Sequence, residues 1–259
     1  MKYAIISKKN FESSEIKQKI INEVAHEYDE ENPDLAIAIG GDGTFLKTFH
    51  KYPNAIILGL NTGHLGFYSS YLVSEVDKLI EDLNNEKLNI KTKDLLSAKI
   101  FTTNGYYYHL ALNEITILSA SKALMFDVFI DDIFFEKFRG TGLCISAPTG
   151  STAFNKSLGG ALIDDNIKAF QIAEIAGINS TAYKSIINPV VLSSERRIKI
   201  KSKLTTKSTV VVDNLAFDFN DLQMLTIFYK KDAIKMVVKE DDGFVKRICE
   251  SFLEWIYNI

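Results

Sequence analysis

The chain has 259 residues, a hydrophobic fraction of 46% and a formal net charge of −3, which fits one large or two small globular domains and excludes a disordered composition. Its 30 basic and 33 acidic residues give no electrostatic basis for binding along a nucleic-acid backbone. No apolar stretch approaches the roughly 20 residues of a membrane span, and the N-terminus has no signal-peptide pattern, so we expect a cytoplasmic protein that binds neither membrane nor nucleic acid.

Cys144 and Cys249 have no zinc-binding spacing and are predicted to be buried, reduced thiols.

The first part of the chain alternates strand-like and helix-like segments. Short apolar runs predict buried strands at residues 3–7, 35–39 and 55–60. Between and after them, apolar residues at helical spacing predict helices, the first capped by Ser13 or Ser14 and the last opened by Ser74. This rhythm is typical of a parallel sheet with helices on its faces.

From about residue 96 the pattern changes to closely spaced strands, which predict a second, mainly β domain. Asp131 and Asp132 mark a tight turn, residues 153–176 are predicted as a helical interlude, and residues 242–255 as a final helix. The predicted organisation is residues 1–95, an α/β domain; 96–240, a β-rich domain; and 241–259, a helix that packs back on the first domain. The strands are predicted at residues 97–102, 106–112, 114–118, 126–130, 133–138, 143–146, 190–192, 198–201, 209–212, 224–228 and 234–238.

The strongest local signal is Gly40-Gly41-Asp42-Gly43, which follows the second predicted strand directly. Glycines let a phosphate approach backbone N–H groups, and a following helix N-terminus adds partial positive charge. Asp42 then lies at the carboxyl end of a parallel strand, where a carboxylate can accept a hydroxyl proton. The alternative is a plain strand-to-helix turn that uses Gly and Asp for geometry. The segment matches neither a Walker P-loop nor the GxGxxG fingerprint.

Two further segments concentrate polar groups. The stretch from Arg139 to Gly160 is dense in small hydroxyl residues and glycines, which present donors to sugar hydroxyls or phosphates; a rigid connection with a helix cap is the alternative. Asn113 and Glu114 interrupt an apolar strand pair, and such polar groups need partners if they are buried. A ligand's ribose or base could supply those partners, whereas a solvent-facing turn or an edge position would need none.

Taken together, these motifs resemble the NAD kinase family, in its short bacterial type. The resemblance spans nearly the whole chain and follows the family's motif order: GGDGTFL at 40–46, NTGHLGF at 61–67, NEITI at 113–117, RGTGLCISAPTGSTAFNKSLGGALI at 139–163 and VVDN at 211–214. It implies a Rossmann-like N-terminal α/β domain and a β-rich, sandwich-like C-terminal domain with the active site between them. The implied reaction is phosphorylation of the 2′-hydroxyl of the NAD adenosine ribose, with ATP or polyphosphate as donor, to give NADP.

The resemblance also assigns roles to residues. Asp42 is the implied general base, and Gly40, Gly41 and Gly43 the phosphate-donor turn. A divalent cation, Mg²⁺, would accompany ATP, no residue is assigned as a metal ligand, and the family assembles as homo-oligomers, commonly tetramers. The residues implied to bind substrate are Gly43, Leu46, Phe67, Asn113, Glu114, Arg139, Thr141, Thr152, Ala153, Phe154, Ser157, Ala176 and Asn214.

The chain departs from the commoner family pattern at three positions. Thr141 stands where an aspartate is usual, and Phe154 where a tyrosine is usual. Asn214, which follows Asp213, stands where a glycine is usual. These changes bear on substrate affinity and orientation more than on the reaction. Two other functions stay open on the residues alone: a lipid or sugar kinase, since such enzymes share GGDG, and a non-catalytic dinucleotide sensor.

Overall fold

The computed structural model describes residues 1–63, 66–181, 184–202, 207–239 and 243–253. The chain forms two compact units: one comprises Met1–Lys93 and Asp232–Ile259, and the other Asp94–Lys231. The boundaries predicted at 95/96 and 240/241 stay a prediction. His64 of the NTGHLGF motif, and Asp242 and Trp255 of the predicted last helix, lie outside the described residues.

The elements run in chain order as follows. The strands are β1 Lys2–Ser7, β2 Glu27–Tyr28, β3 Leu35–Ile39, β4 Ile56–Asn61, β5 Tyr71–Leu72, β6 Ile90–Thr102, β7 Gly105–Ala111, β8 Glu114–Leu118, β9 Leu124–Ile130, β10 Ile133–Gly140, β11 Gly142–Ser146, β12 Ala169–Ile175, β13 Val190–Ser193, β14 Arg197–Ser202, β15 Ser208–Val212, β16 Leu215–Phe219 and β17 Leu222–Val237. The helices are α1 Phe11–Glu23, α2 Asp42–Lys51, α3 Val76–Asn84, α4 Phe154–Ser157 and α5 Phe244–Phe252.

The first unit is built on a parallel sheet. Its strands follow the order β17-β4-β3-β1-β2, with β5 also beside β4. All five residues of β3 are buried, as expected for a strand covered on both faces. Helix α2 packs against β3 and β4, and α1 against β1 and α3. Strand β3 ends at Ile39 and α2 begins at Asp42, so a two-residue turn joins the carboxyl end of the strand to the helix.

The second unit is a pair of packed sheets. One sheet has the order β13-β12-β11-β8-β15-β16 and is antiparallel throughout. The other contains β10, β9, β14, β17, β6 and β7. A single apolar cluster takes side chains from both sheets, among them Phe126, Phe138, Ile145 and Phe170. The predicted class, α/β followed by a β-rich, sandwich-like part, is confirmed by the architecture and by the solved structures compared below.

The structure corrects several local predictions. Asn10 caps α1, not Ser13 or Ser14: its side-chain oxygen accepts the Ser13 N–H at 3.0 Å. A 3₁₀ turn at Val73–Glu75 precedes α3. The two strands predicted at 224–228 and 234–238 are one continuous strand, β17, and the strands β2, β5 and β16 were not predicted.

The helical interlude predicted over residues 153–176 is wrong. Only the four residues of α4 are helical, and Ala169–Ile175 is the strand β12. Five consecutive residues of β12 are buried, so both faces of this strand are covered. A fully buried strand lacks the alternation that distinguishes strands from helices, so its apolar run resembled a buried helix.

Within the described part of the chain, no helix has the length and apolarity needed to cross a membrane. Both cysteines are free thiols. Cys144 is fully buried, and burial raises the pKa of its thiol to about 12. Cys249 is only half-buried, so the prediction of burial is wrong there: α5 buries none of its residues fully.

Candidate functional site

Asp42 lies at the first residue of α2, where β3 has just ended. Its carboxylate accepts two backbone hydrogen bonds, from the Phe67 N–H to Oδ2 at 3.1 Å and from the Tyr68 N–H to Oδ1 at 3.2 Å. The N-terminus of α2 adds partial positive charge beside it. The side chain is half-buried, so the carboxylate is oriented by the protein while part of its surface remains accessible to a ligand.

The glycines around Asp42 leave the backbone of the turn open. Gly40 has φ of +152°, a conformation that favours glycine. Gly41 and Gly43 are both exposed, and no described atom outside the neighbouring backbone lies within 4 Å of where a Cβ would stand at either of them. A phosphate group could therefore approach this backbone without meeting a side chain.

Leu46 and Phe67 are packed inside the first unit. Leu46 is buried on α2. Phe67 is half-buried, its ring centroid lies 5.6 Å from that of Phe252, and its carbonyl oxygen accepts a hydrogen bond from the Arg247 guanidinium. Helix α5 thus supports the segment whose N–H groups hold Asp42.

The second unit holds Asn113 and Glu114 at the start of β8. Both side chains are buried, with 7% and 8% of their surface exposed, so the alternative of a solvent-facing turn is wrong. The carbonyl of Asn113 accepts the Ala147 N–H at 2.9 Å, and Thr149 donates its hydroxyl to the carbonyl of Leu112. The PTGST segment therefore lies directly against the Asn113–Glu114 pair.

The carboxyl group of Glu114 has a raised pKa. Burial, followed by the nearby charge of Asp213, raises the pKa of its carboxyl to about 8. Its Oε2 is buried and accepts no hydrogen bond from the described residues. A neutral carboxyl group with an unused oxygen can donate or accept a hydrogen bond, which suits recognition of a ribose or a base.

The loop from residue 151 to residue 163 presents four of the predicted binding residues. Thr152 and Ala153 are half-buried, Ser157 is exposed, and Phe154 has 41% of its surface exposed. Two buried side chains hold the loop: Asn155 donates to the Ser151 carbonyl at 3.2 Å, and the Ser151 hydroxyl accepts the Ile163 N–H at 3.0 Å.

Arg139, Thr141 and Ala176 come together at the ends of β10, β11 and β12. The Thr141 N–H donates to the Ile175 carbonyl at 3.0 Å, and the Ile178 N–H donates to the Arg139 carbonyl at 2.7 Å. Ala176 has φ of +47° and is exposed, and Arg139 is exposed as well. Ala176 therefore follows a strand, and does not belong to a helix as predicted.

Asn214 is exposed in the two-residue turn between β15 and β16. The predicted site residues thus form two groups, one in each unit. Asp42, its glycines, Leu46 and Phe67 belong to the first unit, and all the others to the second.

Three residues at these groups were not predicted as functional. A Cβ at Gly66 would stand 2.4 Å from Asp42 Oδ1, and a Cβ at Gly150 would stand 2.1 Å from the Asn113 carbonyl oxygen. The third is Asp213, whose carboxylate lies against the backbone of Asn113. All three residues lie inside the quoted motifs, which was the available signal, but only the fold brings Asp213 to Asn113.

A second acidic pair makes stability depend on pH. Glu136 of β10 contacts Glu174 of β12, and Glu174 also accepts hydrogen bonds from the Ser185 hydroxyl and from the Ile186 N–H. Burial and the charge of Glu174 raise the pKa of Glu136 to about 7. The folded protein thus binds this proton more tightly than the unfolded chain does. The resulting stabilisation is complete below pH 4.5, the ordinary value, and is lost as the pH rises through about 7.

We therefore expect the free energy of unfolding to fall between about pH 5 and pH 7, with a limiting slope of about 1.4 kcal/mol per pH unit for one proton, and the melting temperature to fall with it. Glu136→Gln, which is neutral at every pH, should reduce that fall. Some fall should remain in the variant, because Glu114 titrates in the same direction near pH 8. Glu195→Gln, at an exposed carboxylate paired with Lys231, is the control. Identical pH slopes for Glu136→Gln and the unmodified protein would contradict the assignment.

The open glycine turn can bind a phosphate group, and the oriented carboxylate of Asp42 beside it can accept a proton from a hydroxyl group. Both lie on a parallel α/β sheet. The class of protein that this fold and these groups define is a small-molecule kinase. Family models carry the assignment further: the "ATP-NAD kinase N-terminal domain" matches residues 3–88, and the "ATP-NAD kinase C-terminal domain" matches residues 112–235. The chain belongs to the NAD kinase family, and it is an enzyme that phosphorylates NAD.

Sequence relatives and solved structures agree with this assignment. The chain is 39% identical to the NAD kinase of Lactobacillus johnsonii over 91% of this chain and 90% of the relative, and 37% identical to that of Staphylococcus saprophyticus over 98% of both. Its fold resembles yeast NADH kinase complexed with NADH (TM-score 0.84, 20% identity, 98% of this chain and 88% of that one). It also resembles an Archaeoglobus fulgidus NAD kinase in complex with ATP (TM-score 0.77, 22% identity, 96% and 99%).

Proposed function

We propose that the protein transfers the terminal phosphate of ATP to the 2′-hydroxyl of the NAD adenosine ribose, with Asp42 as general base. The observation that carries the proposal is the Asp42 carboxylate, which two backbone N–H groups hold in one orientation at the open end of β3. A base in a fixed position can remove a hydroxyl proton as the oxygen attacks phosphorus, an effect worth about 10²–10⁴-fold in rate.

The glycine turn is the proposed contact for the donor phosphates. Gly41 and Gly43 are exposed, with open space where a side chain would stand, and Gly40 gives the turn its conformation. Positioning and charge neutralisation contribute most of the rate in phosphoryl transfer. Backbone donors at the start of α2 suit that role because they need no rearrangement during the reaction.

A divalent cation such as Mg²⁺ is proposed to enter with ATP. The described residues contain no group of three His, Cys, Asp or Glu side chains that could hold a metal ion. Mg²⁺ is commonly bound through one or two carboxylates together with substrate phosphates. A metal held chiefly by the ATP phosphates fits this pattern, and no residue of the chain is assigned as its ligand. The cation would neutralise charge on the phosphates.

The acceptor is proposed to be bound by the second unit. Asn113 and Glu114 would hydrogen-bond the adenosine part of NAD, since both are buried side chains and Glu114 has an unused oxygen. Thr152, Ala153, Phe154 and Ser157 would contact the dinucleotide from the neighbouring loop. Arg139, Thr141, Ala176 and Asn214 are proposed as further contacts, on the family resemblance.

Two broader proposals concern the assembly and the location of the protein. On the same resemblance, the protein works as a homo-oligomer, with a tetramer as the family's common form; its work in the cytoplasm is proposed from the sequence pattern, which shows neither a signal peptide nor a long apolar stretch. Light scattering on the purified protein would give the subunit number. The proposed small-molecule partners are NAD and ATP or polyphosphate as substrates and NADP as product, with no role for nucleic acid or a membrane.

The decisive experiment incubates the protein with NAD and Mg²⁺, with ATP and polyphosphate in parallel, and measures NADP enzymatically. Formation of NADP with ATP is the expected result. A lipid or sugar kinase would consume ATP only with its own acceptor and would form no NADP. A dinucleotide sensor would also form no NADP, but NAD would raise its melting temperature. Either outcome would overturn the proposal.

A further inference from the structure

Three consecutive backbone N–H groups converge on the carboxylate of Asp213. The N–H of Leu112 donates to Oδ2 at 3.0 Å, and the N–H groups of Asn113 and Glu114 donate to Oδ1 at 2.7 and 3.2 Å. Asp213 is itself buried, with 8% of its surface exposed. Successive N–H groups of this kind form a concave site for an anion, and here the anion is a side chain of the same protein.

The carbonyl groups of the same three residues are also bonded. The Leu112 carbonyl accepts the Thr149 hydroxyl, the Asn113 carbonyl accepts the Ala147 N–H at 2.9 Å, and the Glu114 carbonyl accepts the Asp213 N–H at 3.0 Å. Every backbone donor and acceptor of residues 112–114 is therefore satisfied by a named partner. Four of these six bonds involve Asp213.

The conformation of Asp213 makes this arrangement possible. Its φ is +53°, in the turn between β15 and β16. Aspartate adopts this region more readily than most residues, and the turn directs its carboxylate toward β8 while its own N–H bonds Glu114. Charge-assisted hydrogen bonds of this kind are stronger than neutral ones.

We propose that Asp213 is a positioning residue that fixes the Asn113–Glu114 backbone, and through it the two side chains that bind the adenosine part of NAD. This inference rests on the proposed function. Asp213 does not touch the substrate; it orders the residues that do.

Asp213 also affects the chemistry of Glu114. The groups that face the Glu114 carboxyl are Asp213 and, from β11, the Cys144 thiol, whose pKa is raised by its own burial and by the charge of Glu114. Since the charge of Asp213 adds to the burial of Glu114, the carboxyl stays protonated at neutral pH and can act as a donor. Removing the charge of Asp213 should move the pKa of Glu114 downward.

The test measures NAD affinity, the separate KM values for NAD and ATP, kcat and the melting temperature for Asp213→Asn. An amide cannot accept all three N–H groups, so we expect NAD affinity to fall and KM for NAD to rise by about tenfold or more, with KM for ATP unchanged. Asp218→Asn is the matched control, since Asp218 lies in the same β15–β16 hairpin but its carboxylate pairs at the surface, with the half-buried Thr209 and the exposed Lys207.

The pH dependence of NAD binding provides a second readout that a purely structural role would not move. For the unmodified protein, affinity should fall as the pH rises through about 8, the pKa of Glu114. Glu114→Gln, which is neutral at every pH, should lose that dependence, and Asp213→Asn should shift it to lower pH. This readout remains available in the unmodified protein and in Glu114→Gln even if Asp213→Asn does not fold.

The outcomes separate the inference from the proposed function. If the unmodified protein forms no NADP, the proposed function fails, whatever Asp213 does. If it forms NADP but Asp213→Asn binds NAD as tightly as the Asp218→Asn control, with the same pH profile, the positioning role is overturned. A variant that melts lower yet keeps its NAD affinity and pH profile would also overturn it.

Discussion

Replacement of Asp42 by asparagine should lower kcat by about 10²–10⁴-fold while leaving KM for NAD nearly unchanged and lowering the melting temperature by only about 2–4 °C. The amide keeps the size of the carboxylate but can neither accept a proton nor carry its negative charge. It can still accept one of the two N–H bonds that Phe67 and Tyr68 donate to Asp42. The loss of the other bond should lower the free energy of unfolding by about 1 kcal/mol. Steady-state NADP formation and thermal melts measure both effects.

A matched control exists in the same unit. Asp29 also accepts two backbone N–H bonds, from Glu31 at 2.8 Å and Asn32 at 3.1 Å, and it pairs with Lys2. Asp29→Asn therefore makes the same chemical change at a carboxylate outside the glycine turn, and it should keep full turnover. Comparable kcat values for Asp42→Asn and Asp29→Asn would remove Asp42 from the role of general base.

The first unit was largely predictable because its signals are local. A buried apolar run followed by GGDG predicted a strand, a turn and a helix, and β3 and α2 confirm that order. The position of Asp42 at the end of a parallel strand follows from this order. The hydrogen bonds from Phe67 and Tyr68 could not be predicted, because they join residues 25 and 26 positions apart that only the fold brings together.

The second unit was predictable in class but less so in detail. Strand spacing and turn residues indicated a β-rich domain, and Asp131 and Asp132 do adopt positive φ between β9 and β10. The stretch from Ala169 to Ile175 was mistaken for helix because both of its faces are buried. Asp213 lies 101 positions from Leu112, so no local pattern could connect its carboxylate with the backbone before β8.

Function was predictable for a different reason. The residues alone indicated a phosphate-binding turn with an acid, and they did not identify the acceptor. The family resemblance supplied NAD, and the matches to both domain families confirm that part. The individual roles of the site residues stay predictions, and most of those residues depend on backbone contacts in their surroundings. The most demanding of these contacts is at Gly150.

Replacement of Gly150 by alanine adds one methyl group, and it should be among the most destabilising glycine-to-alanine substitutions in the second unit. A Cβ there would stand 2.1 Å from the carbonyl oxygen of Asn113, 2.3 Å from its carbonyl carbon and 2.5 Å from its Cα. All three are backbone atoms. The backbone of Asn113 cannot move aside easily, because Asp213 accepts its N–H and its carbonyl accepts the Ala147 N–H. Relief of the clash must therefore break at least one of these bonds.

We expect Gly150→Ala to lower the free energy of unfolding by about 2 kcal/mol or more and to raise KM for NAD sharply, because any shift that accommodates the methyl group moves Asn113. Gly243→Ala is the matched control, since no described atom outside the neighbouring backbone lies within 4 Å of a Cβ at that glycine. Thermal melts and KM for NAD in the two variants measure the difference. A Gly150→Ala protein with the melting temperature and KM of the control would show that the Asn113 backbone is not held as tightly as its hydrogen bonds indicate. In that case the positioning role of Asp213, which depends on the same rigidity, would have to be abandoned as well.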